Sequence, residues 1–466
     1  MFPAIIALAS SVTRFVSFGY PHEVVFDEVF YGNFISHYWQ GAYFFDQHPP
    51  FVKLLFEALG QVFGVSRYSA DWSSIGNALP AAVVDLRIIP MIAGAILPLV
   101  IYALCRRLGC SKLAAFTGAT LISLENSLVV QSRFLLPDVI MLLTGFTAIL
   151  AYIEYRRRLS GKGRHRWFLY ASTILAALTL STKWTGLTFL FLILCLELYQ
   201  LREDMKPSRG EWKPILRRFS GFAGIYLGVS VAIYVLLFAF HFAALPKSGP
   251  GDVFMTPAFD KTLAGSKYAA DPAIAPEAFP AKFIELNRAM YVANRDMVAT
   301  HPYSSKWYTW PIMWRPIFYW QSAVSNSTRS YIYLLGNPFI YWLGTISMAG
   351  LSLSALVSLW YKKLRLKSVE RNRTLFFLIL GYLANLLPFI FIGRVMFLYH
   401  YESALVFSIM CIAFLVDLLP GRKKAIAVAL ILALALAAFI YWSPLTYGTP
   451  LTDQQLQARM WLSSWR

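Results

Sequence analysis

Charged side chains are scarce in this chain. Asp, Glu, Lys and Arg make up 14% of its 466 residues, against about 25% in a typical soluble domain. With 58% hydrophobic residues, polar surface is too small to wrap a water-soluble globule of this length, so a bilayer is the expected second solvent. Acidic residues are the scarcer sign: 24 Asp and Glu stand against 42 Lys and Arg, a formal net charge of +18. Cysteine is sparse as well. Cys105, Cys110, Cys195 and Cys411 form no CxxC pair, so neither a disulfide framework nor a zinc site is expected. The N-terminus lacks a basic leader region and a small-residue cleavage site, and residues 1–18 read as a retained first span. An internal repeat of solenoid or transporter type is also missing.

What is present is a series of long apolar runs. A helix needs ~20 apolar residues to cross a bilayer. After the first span, such runs lie near 88–104, 113–130, 134–153, 167–180, 186–200, 220–245, 337–360, 374–392, 402–419 and 425–442. Gln131-Ser132-Arg133 and Ser181-Thr182-Lys183 interrupt the longest stretches as turns. The expectation is an all-α polytopic membrane protein, one domain over 1–466, with about eleven transmembrane helices.

The positive charge is not spread evenly. Loops 105–112, 154–166, 201–219, 361–373 and 421–424 hold 3, 6, 6, 6 and 3 Lys or Arg, which is 24 of the 42. All five fall on one side of the expected topology, and the positive-inside rule makes that side, with the N-terminus, cytoplasmic. The excess charge is thus a topology signal, and no nucleic-acid partner is expected. Two large loops, 19–87 and 246–336, and the tail 443–466 then lie outside. Phe30, Phe34 and Tyr38 share one helical face in the first loop. Phe283, Leu286, Met290, Ala293 and Met297 share another in the second, as in helices lying along a membrane surface.

Ionisable residues at membrane depth are costly and often functional. Asp27 and Glu28 follow the first span and precede an amphipathic helix. Capping of a helix N-terminus and general base catalysis on an acceptor hydroxyl both account for them. Asp46-Gln47-His48-Pro49-Pro50, followed by Lys53, reads as an extended turn that bars helix before residue 50. His48 has no companions at metal-ligand spacing. Arg87, Arg133, Lys183 and Arg394 are cations on the external side, against the topology trend. They either snorkel to headgroups or form a cationic site for a lipid phosphate. His301, Tyr303 and Trp307 open an aromatic belt that stacks on a sugar or rests in the interface, and His400 reads as a buried hydrogen-bonding residue. Asn326-Ser327-Thr328 fits an N-glycosylation sequon.

Taken together, these segments resemble the protein O-mannosyltransferase family. The matching text is FDEVFYGNF at 26–34, FDQHPPFVKLL at 45–55, DLRIIP at 85–90, SRFLLPD at 132–138 and STKWTGL at 181–187. It continues with HPYSSKWYTWP at 301–311, GNPFIYW at 336–342, FIGRVMFLYHYESALVF at 391–407 and YGTPLTDQQLQARMWLSSW at 447–465. The resemblance implies a glycosyltransferase C-type fold that moves mannose, with inversion, from a polyprenyl-phosphate carrier to Ser or Thr hydroxyls of exported proteins. It implies Asp27 as the base, with Glu28 positioning groups or supporting the acceptor. Arg87 matches the family arginine after the first loop. Arg87, Arg133, Lys183, Arg394 and His400 are expected in donor binding or site support, and His48, His301, Tyr303 and Trp307 on the acceptor or sugar side. The second external loop has only about ninety residues, too few for the lectin-like module that eukaryotic members insert there. A bacterial-type member of a plasma membrane is therefore implied.

No cofactor beyond the lipid-linked donor is expected. A divalent metal is optional chemically, and no ligand set stands out. A dimer stays open. Two other readings also stay open: a lipid-linked-sugar transferase acting on a lipid or glycan, or with another sugar, and a transporter or scaffold. The paired broken helices and symmetrical halves of a transporter are not seen.

Overall fold

The computed structural model describes residues 1–159, 165–205, 212–296, 300–360 and 368–466. Met297 of the second amphipathic pattern lies outside them, as do Lys162, Arg164, Lys206, Arg209, Lys362, Lys363, Arg365 and Lys367 of the basic loops.

The chain opens with α1 (Phe2–Phe15). The first loop carries α2 (Glu28–Gln40), α3 (Phe51–Val62) and the single turn α4 (Ala81–Val84). Then come α5 (Ile88–Arg107), α6 (Lys112–Ser123), α7 (Asn126–Ser132), α8 (Asp138–Arg158), α9 (His165–Leu180), α10 (Leu187–Met205) and α11 (Lys213–Ala244). The second large loop holds α12 (Pro257–Asp260), α13 (Phe279–Asp296) and a hairpin of β1 (Ile317–Ala323) and β2 (Arg329–Leu334). It was read as helical and aromatic, and the hairpin is an addition to the all-α expectation. Ile317 pairs with Leu334 and Ala323 with Arg329, with an irregularity between Phe318 and Trp320. Helices α14 (Pro338–Trp360), α15 (Val369–Ala384), α16 (Glu402–Leu418), α17 (Gly421–Tyr447) and α18 (Asp453–Arg459) complete the chain. The last membrane helix runs to Tyr447, so it takes the first five residues assigned to the external tail.

Among the described residues, eight helices are long and apolar enough to cross a bilayer, or nine when the bent pair α6–α7 is taken as one span. Helix α1 has 14 residues and α9 has 16, both below the ~20 of a full crossing; these two separate that count from about eleven. The spans ending in α16 and α8 are the most enclosed, 83% and 67% buried, whereas α11 and α17 are 22% buried and form the periphery.

One break was not expected. The run at 113–130 bends by 59° between α6 and α7. A helix end inside a membrane leaves backbone carbonyls that must find donors. Arg14, fully buried on α1, donates to the carbonyls of Ser123 at 2.9 Å and Ile122 at 3.0 Å. On the other side of the break, the Glu125 side chain accepts from the Ser127 N–H at 3.0 Å, capping α7. The same carboxylate accepts from the Asn337 N–H at 3.0 Å, which ties the start of α14 to the bend. The turn at Ser132–Arg133 is present as expected, and α8 starts after Pro137.

In the first loop, the buried face of α2 is Glu28, Tyr31, Ile35 and Tyr38, while Phe30 is 57% exposed. Of the expected face, Tyr38 is buried, Phe34 half-buried and Phe30 outward, while polar Glu28 is a buried anchor that hydropathy places outside. On α13, Leu286 and Met290 are buried as expected, against Phe238 of α11.

Replacing Arg14 by Ala leaves two carbonyls at the bend without donors and should cost about 1–3 kcal/mol. Thermal unfolding in detergent measures this, and Arg14→Lys, which cannot serve both carbonyls as a fork, should recover only part of the loss.

Candidate active site

The first loop turns sharply at the acidic pair. Phe26 adopts φ +48°, a left-handed conformation that an aromatic residue takes only when its surroundings hold it there. Its ring stacks on Tyr319 of β1 at 4.0 Å and meets Tyr399 edge-on at 6.3 Å. Tyr319 is fixed in turn by donating to Gln131 at 2.9 Å, so the hairpin clamps the residue before the acids.

The two acids then part company. Glu28 is fully buried. One oxygen accepts from Arg87 Nε at 2.8 Å and the Leu135 N–H at 2.9 Å; the other accepts from Arg87 at 2.6 Å and the Val25 N–H at 3.0 Å. Arg87 gives its remaining donors to the carbonyls of Gly19, Pro21 and Glu23. Every N–H of that guanidinium is therefore committed to protein. Asp27 occupies the N-cap position of α2 yet makes no capping bond. It is half-buried, and its carboxylate has no hydrogen bond or ion pair among the described residues. Capping does not explain it.

Asp27 lies among other ionisable groups. Burial pushes its carboxyl up to about 7; Lys183 pulls it down, while Asp138 and Asp46 push it further up. Lys183 donates to Asp138 Oδ1 at 2.7 Å and lies over the Tyr399 ring at 5.0 Å. Gly145 on α8 helps set this distance: a Cβ there would meet the Phe189 ring at 2.7 Å, so only glycine lets α8 and α10 approach so closely. Burial and the nearby cations Lys183, Arg394 and Lys53 hold His48 well below the usual imidazole range, so it is neutral at pH 7. Lys53 pairs with Asp46 and donates to the His48 carbonyl at 2.7 Å. Arg394 is half-buried and has no ion-pair partner among the described residues.

A cavity of about 370 Å³ adjoins this group. Asp138, Lys183, His400 and Glu402 form its polar end, and Met141, Leu142, Leu187, Phe191, Pro388 and Phe389 form its apolar walls. Leu187 and Phe191 are 51% and 49% exposed, so that wall opens on the outer surface of the bundle. The aromatic segment borders the other side. The Ser305 N–H donates to the Met396 carbonyl at 2.9 Å, Trp310 stacks on His400 at 5.8 Å, and His301 meets Phe397 edge-on at 5.0 Å. His301 is exposed, Tyr303 stacks on Phe318 at 6.0 Å, and Trp307 is half-buried beside Tyr308.

Of the expected site residues, Asp27, His48, Lys183, Arg394 and His400 converge, with His301, Tyr303 and Trp307 at the margin. Arg87 and Arg133 depart from the donor-binding expectation. Arg133 donates to the carbonyls of Arg14, Val16, Ser17 and Tyr20 and lies over Tyr447 at 4.8 Å. It caps the end of α1 and presents little to a phosphate. Arg133 is drawn to the bare carbonyls at the end of α1, and Arg87 to the Glu28 carboxylate and the loop carbonyls of Gly19, Pro21 and Glu23. Two acids were passed over as site residues. Asp138 is the partner of Lys183, and Glu402 is 2% exposed with neither carboxylate oxygen hydrogen-bonded. Each opens an apolar run, and an acid in that position was the available signal. Among the described residues, no three His, Cys, Asp or Glu side chains gather as a metal-ligand set.

Comparison with known proteins agrees over nearly the whole chain. The model of the dolichyl-phosphate-mannose-protein mannosyltransferase family matches residues 4–245, and that of the C-terminal four TMM region of protein-O-mannosyltransferase matches 279–465. The chain belongs to the protein O-mannosyltransferase family. Protein O-mannosyltransferase 1 of Drosophila pseudoobscura pseudoobscura is 33% identical over 266 residues, covering 55% of this chain and 28% of that protein. Dolichyl-phosphate-mannose--protein mannosyltransferase 1 of Saccharomyces cerevisiae is 21% identical over 99% of this chain and 82% of that protein. The chain spans about a third of the length of the first curated relatives it matches. A solved structure of the S. cerevisiae protein O-mannosyltransferase Pmt1-Pmt2 complex bound to the sugar donor superimposes with a TM-score of 0.92 at 21% identity, covering 100% of this chain and 92% of that one. An Archaeoglobus fulgidus oligosaccharyltransferase shares the fold more loosely, with a TM-score of 0.52 over 99% of this chain and 57% of that one. The glycosyltransferase C-type architecture expected from the family is the fold observed.

Glu28→Ala leaves the Arg87 charge buried without its partner, which should cost about 3–5 kcal/mol. Loss of folded, monodisperse protein on size exclusion measures this. Asp27→Asn removes no protein contact and should melt within a degree or two of the parent, on the order of the ±0.5 kcal/mol seen where a substitution touches nothing.

Proposed function

We propose that the protein transfers mannose from a polyprenyl-phosphate carrier to Ser or Thr hydroxyls of exported proteins, in one displacement that inverts the sugar carbon. The observation that carries this reading is the unpartnered Asp27 carboxylate beside Lys183, next to an apolar cavity that opens on the outer surface of the bundle. Membership of the family and its fold support it.

The chemistry follows from the parts. A serine hydroxyl is a weak nucleophile until its proton has an acceptor. Asp27 takes that proton while the hydroxyl oxygen attacks the anomeric carbon. The bond from that carbon to the phosphate oxygen breaks, and the phosphate leaves with the electron pair. The Lys183 ammonium and the Arg394 guanidinium stabilise the growing negative charge on it. The apolar walls at Leu187, Phe191 and Phe389 take the first isoprenoid units, which holds the donor at fixed distance from the base. Neutral His48, together with His400, serves as a hydrogen-bonding group for phosphate or sugar. Glu28 and Arg87 keep Asp27 in place through the backbone. The acceptor chain enters past His301, Tyr303 and Trp307. On this reading the site faces the exterior, away from the basic loops, in a bacterial plasma membrane, and pairing with a second chain of the family is compatible with it.

The test is sugar transfer in isolated membranes, with labelled polyprenyl-phosphate mannose and a Ser/Thr-rich peptide. Asp27→Asn should lower transfer by about 10²–10⁴-fold, the usual worth of a general base. Donor consumption without peptide label would replace the protein acceptor by a lipid or glycan. No donor use by the parent protein would sink the proposal.

The base must be ionised to act. With its carboxyl pushed up to about 7, kcat/KM should be flat above that pH and fall about tenfold per unit below it. A pH profile whose acid limb stays near 4 would remove Asp27 from the role.

A further inference from the structure

A second cavity, of about 420 Å³, lies at the opposite end of the same helices. Helix α8 contributes Asp138 to the first cavity and Arg156 to the second. Eighteen residues of helix separate them, or ~27 Å at 1.5 Å each, close to the ~30 Å of a bilayer core. Helix α10 contributes Leu187 to one and Gln200 to the other, and α15 contributes Ala384 and Arg373 in the reverse sense. The second cavity therefore sits in the headgroup layer of the other membrane face.

Its polar wall is basic. Arg107, Arg156, Arg157 and Arg373 line it against the carboxylates of Asp204 and Glu370. Arg156 is paired with Glu197 and Asp204, and Arg107 with Glu154. Arg373 has only a neutral partner, the Gln200 amide oxygen at 3.0 Å, and Arg157 has no partner among the described residues. Two guanidiniums are thus left over in one concavity. Its floor is apolar, formed by Leu108, Ile153, Leu196 and Phe377.

We propose that this cavity holds the phosphate group of an anionic membrane lipid, with Arg157 and Arg373 as its ligands and the apolar floor under its acyl chains. Basic residues at these helix ends already serve as topology signals, but that role needs neither a cavity nor an apolar floor. Paired forks of N–H donors match a phosphodiester, and basic pockets between helices at this depth suit lipid headgroups. The site is a membrane diameter from the transferase chemistry and stands independently of it.

The test uses the full chain in nanodiscs of phosphatidylcholine with a rising fraction of phosphatidylglycerol, followed by thermal unfolding and by counting retained lipids with native mass spectrometry. Phosphatidylglycerol should raise the melting temperature saturably and add one retained lipid. Arg157→Gln with Arg373→Gln should raise the half-saturating fraction at least about tenfold, roughly one lost charge-assisted contact. Arg157→Gln alone, at an exposed residue without an ion pair, should give a smaller rise and guards against misfolding of the double variant. Lys423→Gln, on the same face but outside the cavity, should change nothing. A double variant that responds like the parent, or a parent indifferent to phosphatidylglycerol, would overturn the proposal. Millimolar inorganic phosphate that reproduces the stabilisation and abolishes the lipid response would overturn it too, in favour of a soluble phosphate ligand.

Discussion

The ion pair between Glu28 and Arg87 organises the half of the molecule that carries the first loop. Burying two opposite charges is unfavourable unless all their polar atoms find partners. Here they do, and the partners come from separate stretches: the backbone at 19–25, the start of α5, and Leu135 in the link before α8. The pair therefore joins the first loop to two membrane helices at one point. It also sorts the adjacent acids. Glu28 is saturated by protein, whereas the Asp27 oxygens are unclaimed among the described residues.

Much of the fold was legible because membrane helices announce themselves by length and hydropathy. The basic loops after α5, α8, α10 and α16, the turn at Ser132–Arg133 and the helix start after Pro50 all follow from local chemistry. What escaped was set by distant contacts. The 59° bend at Leu124–Glu125 falls inside a continuous apolar run, and only Arg14, more than a hundred residues away, makes it tolerable. Glu28 on α2 reads as surface until its arginine is found.

The site was legible in its membership more than in its roles. Of the ionisable residues singled out, Asp27, His48, Lys183 and Arg394 lie together. Hydropathy cannot tell an arginine that caps a helix from one that meets a phosphate, since both lie where a cation should be costly. Arg133 went to carbonyls and Arg87 to Glu28 and carbonyls, whereas Lys183 stayed near Asp27 and Arg394 near His48. Glu402 and Asp138 were hidden by their neighbours: each begins a span, and a lone acid at a helix start has an ordinary explanation in the helix dipole.

The clamp on Phe26 has a temporal side. The acidic motif is made well before its partners: the ring that holds its left-handed turn is that of Tyr319, and the ammonium beside it that of Lys183. Some three hundred residues must be inserted and the hairpin closed before Asp27 is aimed at anything. A half-synthesised chain thus carries its acid without the groups that surround it, and that environment arrives only with the completed bundle.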